Sequence, residues 1–303
     1  MTIPLVIDTD VALGVRHEGR PRDIDDGFAI VEAINLDVLD LRAITTVYGN
    51  APHHEVNRVA NELVALKGSA VPVVPGAIEK LPQTGPLPPP NAAVQYLAEL
   101  LARQRLHVAA IGPLTNIALL THHYPEVLGN IDELFVVAGR SPGRSFYIGS
   151  AGPVADFNFE NDVRAMQMLL DARVPMVFAG FELTSQVAIT AEDLAVIEAR
   201  GTDTARYLYD NSLAWFDHWV REFPTERGFH PWDSAAIGWL THRDWFVAES
   251  RQVRILPRVG KRPAQLECSR AGAAVGEPTV TYCTGFAAGA AGAFVAAIVE
   301  NVY

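Results

Sequence analysis

Cysteine is scarce in this chain: Cys268 and Cys283 are the two among 303 residues. So sparse a pair gives no disulfide framework, and two buried thiols of a reducing compartment are expected. Positive charge is short as well, with 24 Lys and Arg against 35 Asp and Glu and a formal net charge of −11. That balance speaks against nucleic acid or an anionic membrane surface as a main partner. No apolar run reaches the ~18–20 residues that a membrane-spanning helix needs. The chain enters "IPLVID" with no basic n-region, apolar h-region or cleavage site, so a soluble cytoplasmic protein is expected. Low-complexity tracts and internal repeats are missing, and 49% of residues are hydrophobic, which excludes a disordered chain.

What the sequence does contain is alternation. "PLVID", "LDLRAITTV", "LHVAAIG", "ELFVVAG" and "VPMVFAG" are short apolar runs rich in β-branched residues, as buried parallel strands are. Between them lie the helical patterns "DDGFAIVEAIN", "HEVNRVANELVALKG", "PLTNIALLTHH" and "DVRAMQMLLDA". The expected fold is α/β, a mostly parallel central sheet flanked by helices, in a single domain over residues 1–303. "LPQTGPLPPPN" reads as a surface loop, because alternation resumes directly after it. Residues 203–242 read as a helical excursion, with Trp215, His218, Trp219 and Phe223 at helical spacing, a stripe that fits either core packing or a ligand wall. His53, His54, His122 and His123 have no ligand spacing and are expected in solvent.

Ligands of such sheets bind beyond the carboxyl ends of the strands. Asp8 and Asp10 end the first strand, Asp23, Asp25 and Asp26 stand at the start of the next helix, and Asn50 ends "TTVYGN". Single aspartates are common as turn formers and helix caps. Five around one strand tip repel one another and point instead to a hard cation with oxygen ligands, Ca²⁺ or Mg²⁺.

The stretch "VIDTD…DIDDGFAI" followed by "ITTVYGN" resembles the inosine-uridine preferring nucleoside hydrolases, whose fingerprint is D-x-D-P-G-x-D-D before a strand ending in G-N. "IGPLTNIALL", "ADFNFENDVRAM", "GFELTSQVAIT" and "WDSAAIGWL" continue the likeness in order as far as Leu240. The resemblance implies a calcium-dependent hydrolase that cleaves the N-glycosidic bond of ribonucleosides to ribose and free base, in purine or pyrimidine salvage. It also implies a homodimer or homotetramer with a small nucleoside or riboside as substrate. By the same likeness Asp10, Asp26, Asp233 and the main-chain carbonyl of Ile111 hold Ca²⁺, and Asp10 takes a proton from the attacking water. Asp25, Asn50, Asp156, Asn158 and Asp233 meet the ribose, His218 and Trp219 the base, and Asp8 orients the loop.

The sequence departs from that pattern in four places. Fourteen residues, Val11 to Ile24, separate Asp10 from the Asp pair where the fingerprint has P-G-x, so Asp23 competes with Asp10 as the base. Asp156 replaces a Glu, and the loop "TGPLPPPN" carries no histidine. Trp232 stands where the family has the histidine that protonates the leaving base; His230, two residues earlier, is the alternative acid. The insertion carries Arg16, His17, Arg20 and Arg22, and two readings stand for it: a solvated loop, or a loop closing over the ribose with Arg16 or His17 at its 5′ end. Two other functions stay open. One is a riboside-binding or regulatory protein, motivated by Trp232. The other is a haloacid dehalogenase-type phosphohydrolase, since "DTDVALG" resembles that family's nucleophile motif; Lys67, Lys80 and Lys261 are the sole lysines and none sits at an expected strand tip.

Overall fold

A computed structural model describes residues 2–146, 154–270 and 276–303. The chain runs β1 (Ile3–Thr9), a small hairpin of β2 (Arg16–His17) and β3 (Arg20–Pro21), α1 (Asp25–Asn35), β4 (Leu39–Thr46), α2 (His53–Leu66) and β5 (Val73–Pro75). It continues through α3 (Ala92–Arg103), β6 (Leu106–Ala110), α4 (Thr115–His123), β7 (Ile131–Val137), α5 (Phe157–Asn161), α6 (Val163–Ala172) and β8 (Met176–Ala179). Then follow α7 (Phe181–Thr184), β9 (Ile189–Thr190), α8 (Ala191–Ala199), α9 (Asp203–Glu222), β10 (Gly228–Phe229) and α10 (Ser234–Thr241). The last elements are β11 (Phe246–Leu256), β12 (Gln265–Arg270), β13 (Thr279–Phe286) and α11 (Ala290–Asn301).

Nine strands form one sheet in the order β12-β11-β13-β8-β7-β6-β1-β4-β5. From β13 to β5 all neighbours are parallel, whereas β11 pairs antiparallel with both β12 and β13. The expected parallel sheet is therefore present with an antiparallel edge added to it. That edge carries less of the parallel-strand signature, because β11 mixes buried and exposed positions instead of reading as one apolar run.

Side-chain alternation in β1 explains why both faces need cover. Leu5 and Ile7 enter one core cluster with Phe28, Ile30 and Phe229, while Val6 enters the other with Val108, Leu134 and Phe178. Helices α1 and α11 pack on the first face, α4 and α6 on the second. Cys268 and Cys283 are buried free thiols, as expected.

The topology fixes where a ligand goes. From β1 the chain moves outward to β4 and β5, then returns to the other side of β1 and moves outward through β6, β7 and β8. The direction reverses between β1 and β6, so a crevice opens beyond their carboxyl ends, the position where open α/β sheets bind ligands.

Candidate active site

The floor of the crevice is the tip of β1. Asp8 is buried, and its Oδ1 accepts from Thr45 Oγ1 (2.5 Å) and Asn116 Nδ2 (2.8 Å), the orienting role expected of it. Its main-chain carbonyl accepts from the N–H groups of Ile111 and Gly112, tying β1 to the loop after β6. Burial pushes the Asp8 carboxyl up to about 7. Two residues on, Asp10 is fully buried; its Oδ2 accepts the Asn50 N–H at 2.6 Å, and its Oδ1 is buried with no hydrogen-bond partner. The backbone of the β4 loop approaches so closely that a Cβ at Gly49 would stand 1.9 Å from Asp10 Oδ2.

The start of α1 brings Asp25 and Asp26 to the same place, and the start of α10 brings Asp233. One carboxylate oxygen each from Asp25, Asp26 and Asp233 lies within 4.8 Å of the others. Asp233 is the N-cap of α10 yet makes no side-chain capping bond; its N–H donates to Asp25 Oδ2 at 3.0 Å. Two helix N-termini thus point their positive ends at the cluster, which eases the charge. Asp26 Oδ1 accepts from Thr9 Oγ1, and its Oδ2 is buried without a partner. Burial first, and then the neighbouring carboxylates, hold Asp10, Asp25 and Asp233 well above the usual carboxyl range and push Asp26 up to about 7. Asp25, expected at the ribose, therefore shares the acidic trio with Asp26 and Asp233.

The walls come from later loops. Asn158 Nδ2 donates to the Ile111 carbonyl at 2.9 Å, so the two residues expected at ribose and metal touch each other. Asp156 Oδ2 accepts the Gly139 N–H at 3.1 Å, with the buried Arg140 guanidinium 3.8 Å away; burial still pushes its carboxyl up to about 7. Phe146 stacks on Phe181 at 4.4 Å, and Arg140 covers the Phe146 ring. These residues enclose a cavity of about 330 Å³, within the range of small-molecule sites.

Helix α9 supplies the remaining wall with Trp215, His218 and Trp219, while Phe223 points into the core. Trp219 meets Trp232 edge-on at 5.3 Å, and Trp232 also lines the cavity. His230 does not. Strand β10 pairs with β9, which turns His230 toward β9: Nδ1 bonds the Val187 carbonyl (2.6 Å) and Nε2 faces Glu226 (3.7 Å). One ring nitrogen is thus bonded behind the aromatic wall and the other faces Glu226, so His230, expected as the alternative acid, is placed outside the cavity lining. Trp232 has an indole, which donates a hydrogen bond and cannot serve as an acid at neutral pH. Among the described residues, His218 is the imidazole that lines the cavity.

The insertion folds rather than meandering. Glu18 and Gly19 both have positive φ (52° and 75°) and join His17 to Arg20, the signature of a two-residue hairpin turn. The return strand leads Arg20, Arg22 and Asp23 into the cavity lining. Arg16 and His17 sit on the outgoing strand and do not line the cavity, so of the two readings the solvated one holds for this pair. Asp23 lines the cavity with Oδ1 accepting the Ile24 N–H at 2.8 Å, whereas Asp10 holds the strand tip. His53 is also not simply solvated: it is half-buried, its Nε2 3.0 Å from Thr46 Oγ1. Phe146, Phe181, Arg20 and Arg22 carry little sign in the sequence of being wall residues; the one signal was the basic excess of the insertion.

Comparison with known proteins agrees with this geometry. The family model described as inosine-uridine preferring nucleoside hydrolase matches residues 5–290. A non-specific ribonucleoside hydrolase, RihC, from Klebsiella pneumoniae is 30% identical over 274 residues, covering 82% of each chain. A pyrimidine-specific ribonucleoside hydrolase, RihA, from Shewanella woodyi is 29% identical over 282 residues, 84% of each. Among solved structures, a plant nucleoside hydrolase, PpNRh1, superposes with a TM-score of 0.83 at 20% identity, covering 100% of this chain and 99% of its own. A purine-preferring ribonucleoside hydrolase from Gardnerella vaginalis gives 0.81 at 18% identity, covering 99% and 98%. The chain belongs to the inosine-uridine preferring nucleoside hydrolase family, and its enzyme class is that of the ribonucleoside hydrolases.

Proposed function

We infer that this enzyme cleaves the N-glycosidic bond of ribonucleosides with the help of one Ca²⁺ held by Asp10, Asp26, Asp233 and the Ile111 carbonyl, with Asp25 beside them. The observation that carries this is the pair of buried, unpartnered oxygens, Asp10 Oδ1 and Asp26 Oδ2, beside two more buried carboxylates. Buried carboxylate oxygens are costly without a partner, and an all-oxygen, acidic donor set suits a hard cation. A bound cation supplies countercharge, fixes vicinal hydroxyls and acidifies water.

The side chains do the rest. Asp10, anchored through Oδ2 by the Asn50 N–H, is the base that accepts the proton of water through Oδ1. The water oxygen bonds C1′ as the C1′–N bond breaks, and the electron pair leaves with the base. The carboxylates of Asp25 and Asp233 lie where positive charge grows on the sugar, the feature shared by glycosyl transfers with oxocarbenium-like transition states. Asp25, Asn50, Asn158 and Asp233 take the ribose hydroxyls, and Asp156 the 5′ side. Trp219 and Trp232 wall the base. His218, half-buried at the cavity, is the candidate to protonate the departing base. Salvage in the cytoplasm by a homodimer or homotetramer is the setting we propose.

The test is a nucleoside panel with and without a chelator, together with Asp10→Asn. Activity lost on chelation and restored by Ca²⁺ is expected, with kcat in the variant ~10²–10⁴-fold lower. Full turnover after exhaustive chelation sinks the calcium assignment.

A further inference from the structure

The inserted hairpin places two guanidinium groups in a cleft otherwise dominated by carboxylates. Arg20 and Arg22 both line the cavity. The bland account is that they offset the nearby aspartates. Yet among the described residues neither guanidinium lies within 4.0 Å of Asp10, Asp23, Asp25, Asp26 or Asp233. Arg22 pairs with Glu18 alone, at 3.4 Å on the exposed turn, and its Nε is buried with no hydrogen-bond partner. Arg20 has no ion pair among the described residues and stays exposed at the mouth. Their position is built rather than incidental. The Glu18-Gly19 turn reverses the chain, the Arg22 N–H donates to the Val15 carbonyl at 3.0 Å, and β3 packs against α9.

We propose that Arg20 and Arg22 form an oxyanion subsite that recognises ribosides carrying a negative group, a phosphate on the 5′ oxygen or a carboxylate on the base. The proposal rests on the ribose-cleft reading above and adds the substrate class to it. A guanidinium offers paired N–H donors matched to either oxyanion, and it stays charged at every working pH. Near a cluster of aspartates an anionic substrate is otherwise repelled, so without the arginines the cleft discriminates against it. Because Arg20 is exposed, its share of the attraction weakens as salt screens it.

The experiment compares kcat/KM for uridine, uridine 5′-monophosphate and orotidine in wild type and in R20A/R22A. In wild type one anionic riboside is preferred over uridine, and the arm that shows the preference names the source: the monophosphate for a 5′ phosphate, orotidine for a base carboxylate. The anionic-to-neutral ratio falls about 10- to 100-fold in the variant, the worth of charge-assisted hydrogen bonds, and falls with added salt in wild type. R22K, which keeps the charge but loses the fork, retains part of the ratio; R20A and R22A singly give the same readout if the double variant does not fold. A ratio that is the same in wild type and variants, or no preference for either anion, overturns the subsite. Failure of wild type to hydrolyse uridine, inosine and p-nitrophenyl riboside alike strikes the hydrolase reading instead, so the two failures are distinguishable.

Discussion

Asp10 shows how little room the site leaves at the scale of one residue. Its two oxygens have different fates: one is fixed by the Asn50 N–H, the other is buried and unpartnered. The fixed oxygen is reachable because Gly49 has no side chain. A methyl there would stand 1.9 Å from Oδ2, so Gly49→Ala must displace the carboxylate. A displacement near 1 Å costs ~10²-fold in rate. We expect kcat/KM to drop about 100-fold in Gly49→Ala, and wild-type kcat/KM in that variant contradicts the fixed-oxygen role. The aspartates themselves were legible, since their crowding at one strand tip has no ordinary structural explanation. The glycine's role was not, because the constraint is a contact between two loops 39 residues apart.

At the scale of elements, α1 and α10 must hold their N-termini together for Asp25, Asp26 and Asp233 to meet. A buried brace does this from below: Ser234 Oγ donates to Glu32 Oε2 at 2.5 Å, joining the third turn of α1 to the first of α10. Burial pushes the Glu32 carboxyl from 4.5 up to about 8. The folded state therefore binds a proton that the unfolded chain has released between those values. The contribution to stability is full below about pH 4.5, declines as pH rises, and is gone above about pH 8. Glu32→Gln keeps an acceptor for Ser234 but cannot titrate. Its Tm is expected to fall less than that of wild type between pH 5.5 and 8, both measured with chelator present; equal slopes refute the assignment. Helix α1 was readable from the sequence to both ends, because "DDGFAIVEAIN" carries acidic residues in its first turn and an apolar run long enough for a helix that is buried on all sides. The antiparallel edge of β11, β12 and β13 was not read, since its strands mix polar and charged residues with the apolar ones and so lack the unbroken apolar runs of the centre.

For the whole molecule, several buried like charges are a burden on folding unless a cation joins them. A ligand that binds only the folded chain stabilises it by mass action, about 2.7 kcal/mol at 100 times Kd. That is worth a few degrees in Tm for a chain of this size. Adding CaCl₂ to chelator-treated protein is expected to raise Tm by that amount, and Asp26→Asn is expected to abolish the shift. Mg²⁺ is expected to do less, because it demands strict octahedral geometry and gives up its waters reluctantly. A Tm indifferent to both ions counts against the cluster as a metal centre, independently of any activity assay.

The sequence by itself determined the parallel centre of the sheet and the acidic tip of its first strand. Buried parallel strands and amphipathic helices are encoded locally, in hydrophobic period and end signals; a strand tip crowded with aspartates points to a cation, and the reaction class came from the resemblance carried by ordered segments along the chain. Only the tertiary structure decided which side chains of the less regular segments face the cleft. Arg20 and Arg22 instead of Arg16 and His17, and His218 instead of His230, follow from where a two-residue turn and a short strand pairing aim side chains. Composition and spacing bring residues to the neighbourhood of a site, and pairing partners distant in sequence then choose which of them enter it.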